Sequence, residues 1–280
     1  MNEIFWIEGS LMLKSGPFVV IVLGLSMLMA CKHGVEAQTW AVDIGGRRLF
    51  LNCAGEAKSP AVILEAGSEA TSDAWRLVQP EVAKFAYVCS YDRAGLGKSD
   101  PATHEESISE NVADLHALLQ KAGVAPLYVL VGHSSGGLRV RLYQSQYPTE
   151  VAAMVLVDSA HEEQVWRFND AIPGAVRGIP QDPAGLARMG MLPARQHSSW
   201  HTNIPLIVIE HGKPMELPPA ALDHAQLAEN AMHALQLDLA SRSKYGELRK
   251  AEHSGHDIPT EEPEAVVLAI RDILSRIKPM

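Results

Sequence analysis

A serine flanked by glycines is the residue of this sequence best suited to covalent chemistry. The segment Gly132-His133-Ser134-Ser135-Gly136 fits the pattern G-x-S-x-G and joins an apolar run, 127–131, to a segment of helical period from Leu138 onward. A serine on such a strained strand-to-helix turn is a candidate nucleophile, and the glycines avoid collisions with the neighbouring strand and helix. The turn also brings the backbone N–H of Ser135 to a helix N-terminus, where developing negative charge is stabilised. The alternative is a glycine-rich turn without catalytic use.

The elements that would position this serine are short apolar runs alternating with segments of helical period. The runs predicted as strands are Trp40–Asp43, Arg47–Cys53, Ala61–Glu65, Ala86–Tyr91, Leu127–Val131, Val151–Val157, Pro205–Ile209 and Leu248–Ala251. The predicted helices are Ala74–Lys84, Ile108–Lys121, Leu138–Tyr147, Pro219–Ser241 and Pro263–Ile277. The first two strands, split by glycines, form a hairpin, and the later ones lack polar alternation, as strands buried on both faces do. The pattern predicts an α/β domain with helices on both faces of a mostly parallel sheet.

One interval interrupts this alternation. Residues 160–203 are rich in glycine, proline, methionine and arginine and hold no convincing strand. We expect a short cap inserted over one edge of the sheet, since loops of this length inside a compact domain usually have a function. The alternative is a long, ordered surface loop.

With these motifs the chain resembles the α/β-hydrolase family over about residues 40–278. The segment Tyr91–Ser99 is similar to the family's turn D-x-x-G-x-G-x-S, and Glu65-Ala66-Gly67-Ser68 looks like its H-G-x turn, with Ala66 in place of the histidine. The resemblance implies an eight-stranded sheet and an oxyanion hole made by the N–H groups of Ser68 and Ser135. A serine nucleophile separates the chain from the family's epoxide hydrolases and haloalkane dehalogenases, which use an aspartate there.

The resemblance also suggests the base. Ser254-Gly255-His256-Asp257-Ile258 follows the last strand and precedes the last helix, where this family places its histidine. A serine hydroxyl needs a neighbouring base to attack at neutral pH, and an imidazole with an ordinary pKa near 6.5 can take and return the proton. We therefore predict His256 as the base. His253 is expected at the wall or surface, and His133 is expected to pack under the turn.

The acid that orients the base is less evident. The family commonly places it after the strand that follows the cap, but the chain reads Ile209-Glu210-His211-Gly212 there and the expected aspartate is absent. Asp158 closes the run 151–157, an alternative position that some members use. We predict Asp158 as the acid, with Glu216 and Glu210 as alternatives.

The predicted function is therefore that of a serine hydrolase, cleaving a carboxylic ester of small or medium acyl size through an acyl-enzyme intermediate. Other activities of the same three residues stay open: aminopeptidase, lactonase, thioesterase or carbon–carbon bond hydrolase. A binding scaffold without activity is a further alternative, supported only by the missing aspartate, because a fold alone does not fix function.

Composition excludes other classes of function. The formal net charge is −9 and the basic residues are scattered, which argues against nucleic-acid binding. The twelve histidines form no H-E-x-x-H motif, the cysteines lack metal-ligand spacing, and no glycine-rich phosphate loop opens a helix. We expect neither a metal nor a cofactor, and the expected partner is a small acyl substrate.

The first 37 residues form a separate segment. The apolar run Pro17–Cys31 is preceded by Lys14 and followed by small and polar residues, which is typical of a signal peptide and short for a membrane span of about 20 residues. Cleavage after Ala37 and acylation of Cys31 as a bacterial lipoprotein are both open, and a buried N-terminal helix is a third alternative. We expect an exported protein that contacts membrane only through this leader or a lipid anchor at Cys31.

Two cysteines, Cys53 and Cys89, remain in the predicted domain. The family's strand order implies that they fall on adjacent strands. In an oxidising compartment such a pair can form a disulfide, whereas two buried thiols that only pack are the alternative.

Overall fold

The computed structural model of the protein describes residues 4–7, 10–15, 18–22, 37–104, 106–171, 200–215 and 219–277. The chain divides into two units, residues 1–34 and 35–280. In the first unit Ile4–Ile7, Ser10–Ser15 and Phe18–Val22 form an antiparallel sheet. Cys31, where lipid attachment is one alternative, lies outside the described residues. The leader therefore stays a prediction.

The second unit is built on one eight-stranded sheet, as predicted. The strands are β1 Gln38–Asp43, β2 Arg48–Ala54, β3 Ala61–Glu65, β4 Val88–Tyr91, β5 Tyr128–His133, β6 Val151–Val157, β7 Leu206–His211 and β8 Gly246–Ala251. They lie in the order β8-β7-β6-β5-β3-β4-β2-β1. Strands β1 and β2 pair antiparallel, as do β2 and β4, and the other five pairings are parallel. The carboxyl ends of the parallel strands thus share one edge.

Helices cover both faces of this sheet. They are α1 Gln79–Val82, α2 Ile108–Lys121, α3 Gly136–Gln146, α4 Gln164–Ala171, α5 Ala225–Ser241, α6 Ile258–Glu261 and α7 Pro263–Ser275. Strand β5 sends Tyr128 and Leu130 into the core shared with α2, α3 and α5, and Val129 and Val131 into the core shared with α1 and α7. Because both faces are buried, the parallel strands are apolar throughout.

The helices also differ from the prediction in two places. The predicted helix 74–84 is a 3₁₀ turn at Ser72–Trp75 followed by the short α1, and the predicted helix 219–241 begins as a 3₁₀ turn at Pro219–His224 before α5. Among the described residues, none of the helices is long and apolar enough to cross a membrane.

Cys53 and Cys89 lie opposite each other on β2 and β4 and are joined by a disulfide. Both are fully buried in the core on the α2 and α3 side of the sheet. The structure thus has the bridge rather than two packed thiols, and it ties the antiparallel edge of the sheet to its parallel centre.

Most of the predicted cap, residues 172–199, lies outside the described residues. Its described part contains α4, which packs against α5. The cap as a whole stays a prediction.

Candidate active site

The turn between β5 and α3 holds Ser134 in a strained conformation. Its φ is 52°, in the left-handed region that non-glycine residues rarely adopt. The flanking glycines are required by contact: a Cβ on Gly132 would lie 2.8 Å from the backbone of Gly136, and one on Gly136 would lie 2.4 Å from the carbonyl oxygen of Glu65. The Ser134 N–H donates to the carbonyl oxygen of Val157 at 3.1 Å. The predicted geometry of this turn is therefore present.

The structure brings Ser134, His256 and Asp158 together from three strand ends. His256 Nε2 lies 3.0 Å from Ser134 Oγ, and His256 Nδ1 lies 2.6 Å from Asp158 Oδ2. An ionised carboxylate can only accept, so Nδ1 carries a proton, and in the neutral ring Nε2 is then free to accept from the serine. The His256 side chain is 55% exposed and that of Asp158 is 1% exposed. The arrangement can take a proton from the serine hydroxyl and return it to a leaving group.

Asp158 is placed by the end of β6. Its φ is 38°, and its N–H donates to the carbonyl oxygen of Ile209 on β7 at 2.7 Å. Burial alone would raise the pKa of this carboxyl, but hydrogen bonds with His211 and His256 outweigh burial and lower it. Asp158 therefore stays ionised at neutral pH inside the protein.

His211, which the sequence analysis did not single out, is the second histidine on Asp158. Its Nδ1 lies 2.8 Å from Asp158 Oδ1, and its Nε2 lies 3.2 Å from Glu229 Oε2. The hydrogen bond with Asp158 raises the pKa of His211 to about 9, against the lowering effect of burial. The signal that could have found it is its position: it ends β7, where the acid was first expected.

The alternative acids do not reach His256 in the described structure. Glu210 Oε2 lies 2.8 Å from His233 Nδ1 on α5, and Glu210 has no hydrogen bond to His256 among the described contacts. Glu216 lies outside the described residues. Geometry therefore favours Asp158.

The segment predicted to complete an oxyanion hole crosses in front of Ser134. A Cβ on Gly67 would lie 3.2 Å from Ser134 Cβ, so only a glycine fits there without a shift. Within the described part of the chain, neither the Ser68 nor the Ser135 backbone N–H donates to a protein acceptor. The two hydroxyls lie 2.9 Å apart, and Arg139 Nη1 donates to Ser135 Oγ at 3.0 Å. Both N–H groups are thus available to a developing oxyanion.

A buried ion pair supports this segment from behind. Arg93 donates to Glu65 Oε1 at 2.7 Å and to the carbonyl oxygens of Ala66 and Gly67 at 2.9 and 2.5 Å. Glu65 also accepts from the Tyr91 hydroxyl. One guanidinium therefore fixes two successive carbonyls of the turn that precedes Ser68, a role that the sequence did not indicate.

The remaining histidines near the site have supporting positions. His133 is buried, and its Nε2 lies 2.9 Å from the carbonyl oxygen of His256, so a proton on that nitrogen ties the turn to the His256 loop. Burial lowers the pKa of His133, which keeps it neutral. His253 is exposed, and its backbone N–H donates to Glu262 Oε2 at 2.7 Å. Neither ring contacts the Ser134 hydroxyl, as predicted.

Ser134 and His256 line a cleft of about 650 Å³. Met215 and Met232 supply apolar wall, and Lys213 pairs with Glu261 at 3.1 Å beside it. In the described residues no group of three or more histidine, cysteine or acidic side chains is arranged to hold a metal ion. The cleft has the size of a small-molecule site.

Comparisons with known proteins agree with this architecture. The family described as alpha/beta hydrolase fold matches residues 60–204, slightly more than half of the chain. YqjL, an uncharacterized protein of Bacillus subtilis strain 168, is 26% identical over 225 residues, 76% of this chain and 82% of that protein. A putative carbamate hydrolase of Escherichia coli, RutD, is 30% identical over 132 residues, 45% of this chain and 49% of that protein. This chain therefore matches about half the length of RutD.

A solved structure extends the likeness over the whole fold. A thermophilic esterase from Thermogutta terrifontis, with malate bound, is 18% identical and has a TM-score of 0.62, covering 87% of this chain and 100% of that chain. At this identity the likeness concerns the fold alone. The eight-stranded sheet, the strained serine turn between β5 and α3 and the family match lead to one conclusion: the chain belongs to the alpha/beta-hydrolase fold family.

Proposed function

We propose that the protein is a serine hydrolase that cleaves carboxylic esters with Ser134 as nucleophile, His256 as general base and Asp158 as the acid that orients it. The observation that carries the proposal is the hydrogen-bonded chain from Ser134 Oγ through both nitrogens of His256 to a buried carboxylate, at the wall of a cleft. The wider set of hydrolases in this family agrees with the class of reaction.

In the first half of the reaction, Ser134 Oγ attacks the ester carbonyl while its proton passes to His256 Nε2. The carbonyl oxygen becomes an oxyanion, which the backbone N–H groups of Ser68 and Ser135 would hold; one such donor contributes about 10²–10³ in kcat. The imidazolium, stabilised by Asp158, then gives its proton to the alcohol that leaves. An acyl-enzyme on Ser134 remains.

In the second half, water takes the place of the alcohol. His256 accepts a proton from the water, the hydroxide attacks the acyl carbon, and the proton returns to Ser134 Oγ as the acid leaves. The exposure of the His256 side chain, 55%, suits this step because water can reach Nε2 from the cleft. A cleft of about 650 Å³ agrees with small or medium acyl groups.

We also propose that the protein is exported. The disulfide between Cys53 and Cys89 supports an oxidising compartment, since such bridges are rare where thiols are kept reduced. Mass spectrometry of protein recovered from the envelope fraction, after alkylation under denaturing conditions, should find both cysteines unmodified. Alkylation of both would contradict the proposal.

The decisive experiment is labelling with a fluorophosphonate, followed by peptide mass spectrometry. A single adduct on Ser134, absent in Ser134→Ala, would establish an activated serine. A panel of p-nitrophenyl esters and a matching carbamate, included because of the carbamate hydrolase relative, then gives the bond that is cleaved. No adduct in a folded protein would overturn the proposal and favour a binding scaffold.

A matched histidine pair makes the assay specific. His256→Gln should abolish labelling, because the base is lost, whereas His253→Gln should label at the wild-type rate, because His253 is exposed and contacts the site only through its backbone. Loss of labelling in both variants would point to a disturbed loop rather than to a missing base.

A further inference from the structure

We propose that His211, held between Asp158 and Glu229, is a positioning residue for the hydrolytic site: it fixes the Asp158 carboxylate and supplies a positive charge behind it. The inference rests on the function proposed above. His211 ends β7, and only 4% of its side chain is exposed. It touches the acid on the side opposite to His256.

The first argument is a count of protons. A neutral imidazole has one N–H and one acceptor nitrogen, whereas an ionised carboxylate has only acceptors. Both ring nitrogens of His211 face carboxylate oxygens, Asp158 Oδ1 at 2.8 Å and Glu229 Oε2 at 3.2 Å. Only the imidazolium, with two N–H groups, satisfies both contacts. The raised pKa of His211, about 9, agrees with this geometry.

The second argument is that both carboxylates are anchored. Glu229 lies on α5, and its other oxygen, Oε1, accepts from the Met215 N–H at 2.6 Å. Asp158 Oδ1 accepts from the ring of His211 and also from its backbone N–H at 3.3 Å. One carboxylate oxygen of Asp158 is thus committed to His211, which leaves Oδ2 aimed at His256 Nδ1. A carboxylate held in this way cannot rotate away during the reaction.

The third argument concerns charge. Asp158 and Glu229 carry two negative charges and His211 one positive, so one net negative charge remains to balance the His256 imidazolium that forms during catalysis. The other titratable groups on this side are Glu210, His233 and Lys250, which share with His211 a cavity of about 320 Å³. Glu210 is paired with His233, at 2.8 Å. His211 therefore offsets part of the negative charge that His256 would otherwise face.

This charge balance predicts the direction of two changes. Without the positive charge of His211, Asp158 attracts a proton on His256 more strongly, so the acidic limb of the kcat/KM profile moves to higher pH, by about 0.5–1 pH unit. Without the negative charge of Glu229, His211 loses its proton at lower pH. Any alkaline decline in activity then moves to lower pH.

The first experiment reads His211 directly and needs no activity. Histidine ring NMR on the full chain, with His211→Gln and His233→Gln to assign the signals, should find His211 doubly protonated at pH 7 and titrating near pH 9. In Asp158→Asn and in Glu229→Gln its pKa should be lower. A His211 that titrates at its ordinary pKa of about 6.5 overturns the inference, in an active or an inactive protein.

The second experiment is the pH profile of ester hydrolysis. His211→Gln should lower kcat/KM roughly 10–100-fold, as expected when a catalytic group loses its exact placement, and should raise the acidic limb. His233→Gln is the matched control: it removes a histidine that pairs with a glutamate on the same cavity but does not touch Asp158, so its profile should equal that of the wild type. An unchanged acidic limb in His211→Gln overturns the inference.

The two proposals fail in different ways. If the wild type neither labels with fluorophosphonate nor hydrolyses esters, the proposed function fails, while NMR still decides whether His211 is the imidazolium. If His211→Gln does not fold, Glu229→Gln replaces it in the kinetics, because its amide still accepts from His211 Nε2. A downward shift of its alkaline limb supports the inference, and a limb identical to that of the wild type overturns it.

Discussion

The two histidines on Asp158 are the same residue type bonded to the same carboxylate, yet they are suited to opposite tasks. His256 is 55% exposed and its second nitrogen faces a serine hydroxyl, whereas His211 is 4% exposed and its second nitrogen faces a carboxylate. A hydroxyl can donate a proton, so His256 can cycle between neutral and charged. A second carboxylate stabilises the charged ring, so His211 holds its proton. The neighbour of the second nitrogen decides which imidazole can act as a base.

The same difference explains why a buried aspartate is tolerated at the centre. A buried, unpaired carboxylate is costly, and removal of one partner from a buried charge pair is strongly destabilising. Asp158 accepts from His211 on one oxygen and from His256 on the other. Because His211 is permanently charged, Asp158 keeps a cationic partner even when His256 is neutral, as it must be before Ser134 attacks.

The largest expected effect comes from removing the partner that both histidines share. Asp158→Asn should lower kcat by roughly 10⁴, because the amide no longer holds the productive tautomer of His256; this is the scale of the same change in another serine hydrolase. Steady-state ester hydrolysis and fluorophosphonate labelling measure it. Circular dichroism should show that the variant folds. Near-normal turnover would transfer the role of the acid, with Glu216 as the remaining candidate.

An intermediate effect concerns stability and distinguishes the two histidines by pH. The folded-state pKa of His211 is about 9 and its ordinary value is 6.5, so the charged ring stabilises the fold fully below pH 6.5, and this contribution is lost as the pH rises through 9. Thermal melts at pH 6 and pH 9.5 should therefore show a fall in Tm of several degrees in the wild type. For a domain of this size, about 1 kcal/mol corresponds to roughly 2–4 °C.

The control for this measurement is the same pair of melts in two variants. His211→Gln should show a smaller fall in Tm over that range, whereas His233→Gln should follow the wild type, because the His233 side chain is 57% exposed. Equal falls in the wild type and in His211→Gln would mean that His211 is not held charged in the folded state.

The sequence predicted the architecture well, because the period of a pattern reports the element that carries it. All eight strands lie where apolar runs were found, and α2 has the predicted bounds, Ile108–Lys121, because Ser107 and Glu110 form a capping box at its start. Ser134 and His256 were found because a strained turn and a loop position have local signatures. These contributions depend on residues that are close in sequence.

The contacts between distant residues could not be predicted in this way. Asp158 could be ranked first but not separated from its alternatives, since the choice depends on how the end of β6 meets β7 and the His256 loop. His211 reaches Asp158 across 53 positions, and Arg93 reaches Glu65 across 28. No periodicity reports such pairs. A lone histidine or arginine beside a strand is therefore uninformative until the topology brings its partner near.

The smallest expected effect sharpens the comparison by testing the neighbour of His211 in the chain. Glu210→Gln should change kcat/KM less than about twofold, because Glu210 bonds to the half-exposed His233 and has no hydrogen bond to Asp158 or His256 among the described contacts. The same kinetics on Glu229→Gln supply the contrast, since that residue differs in touching His211. A loss near 10⁴ in Glu210→Gln would make Glu210 the acid, whereas equal effects in both variants would mean that the field of the whole cavity, rather than the contact with His211, acts on the site.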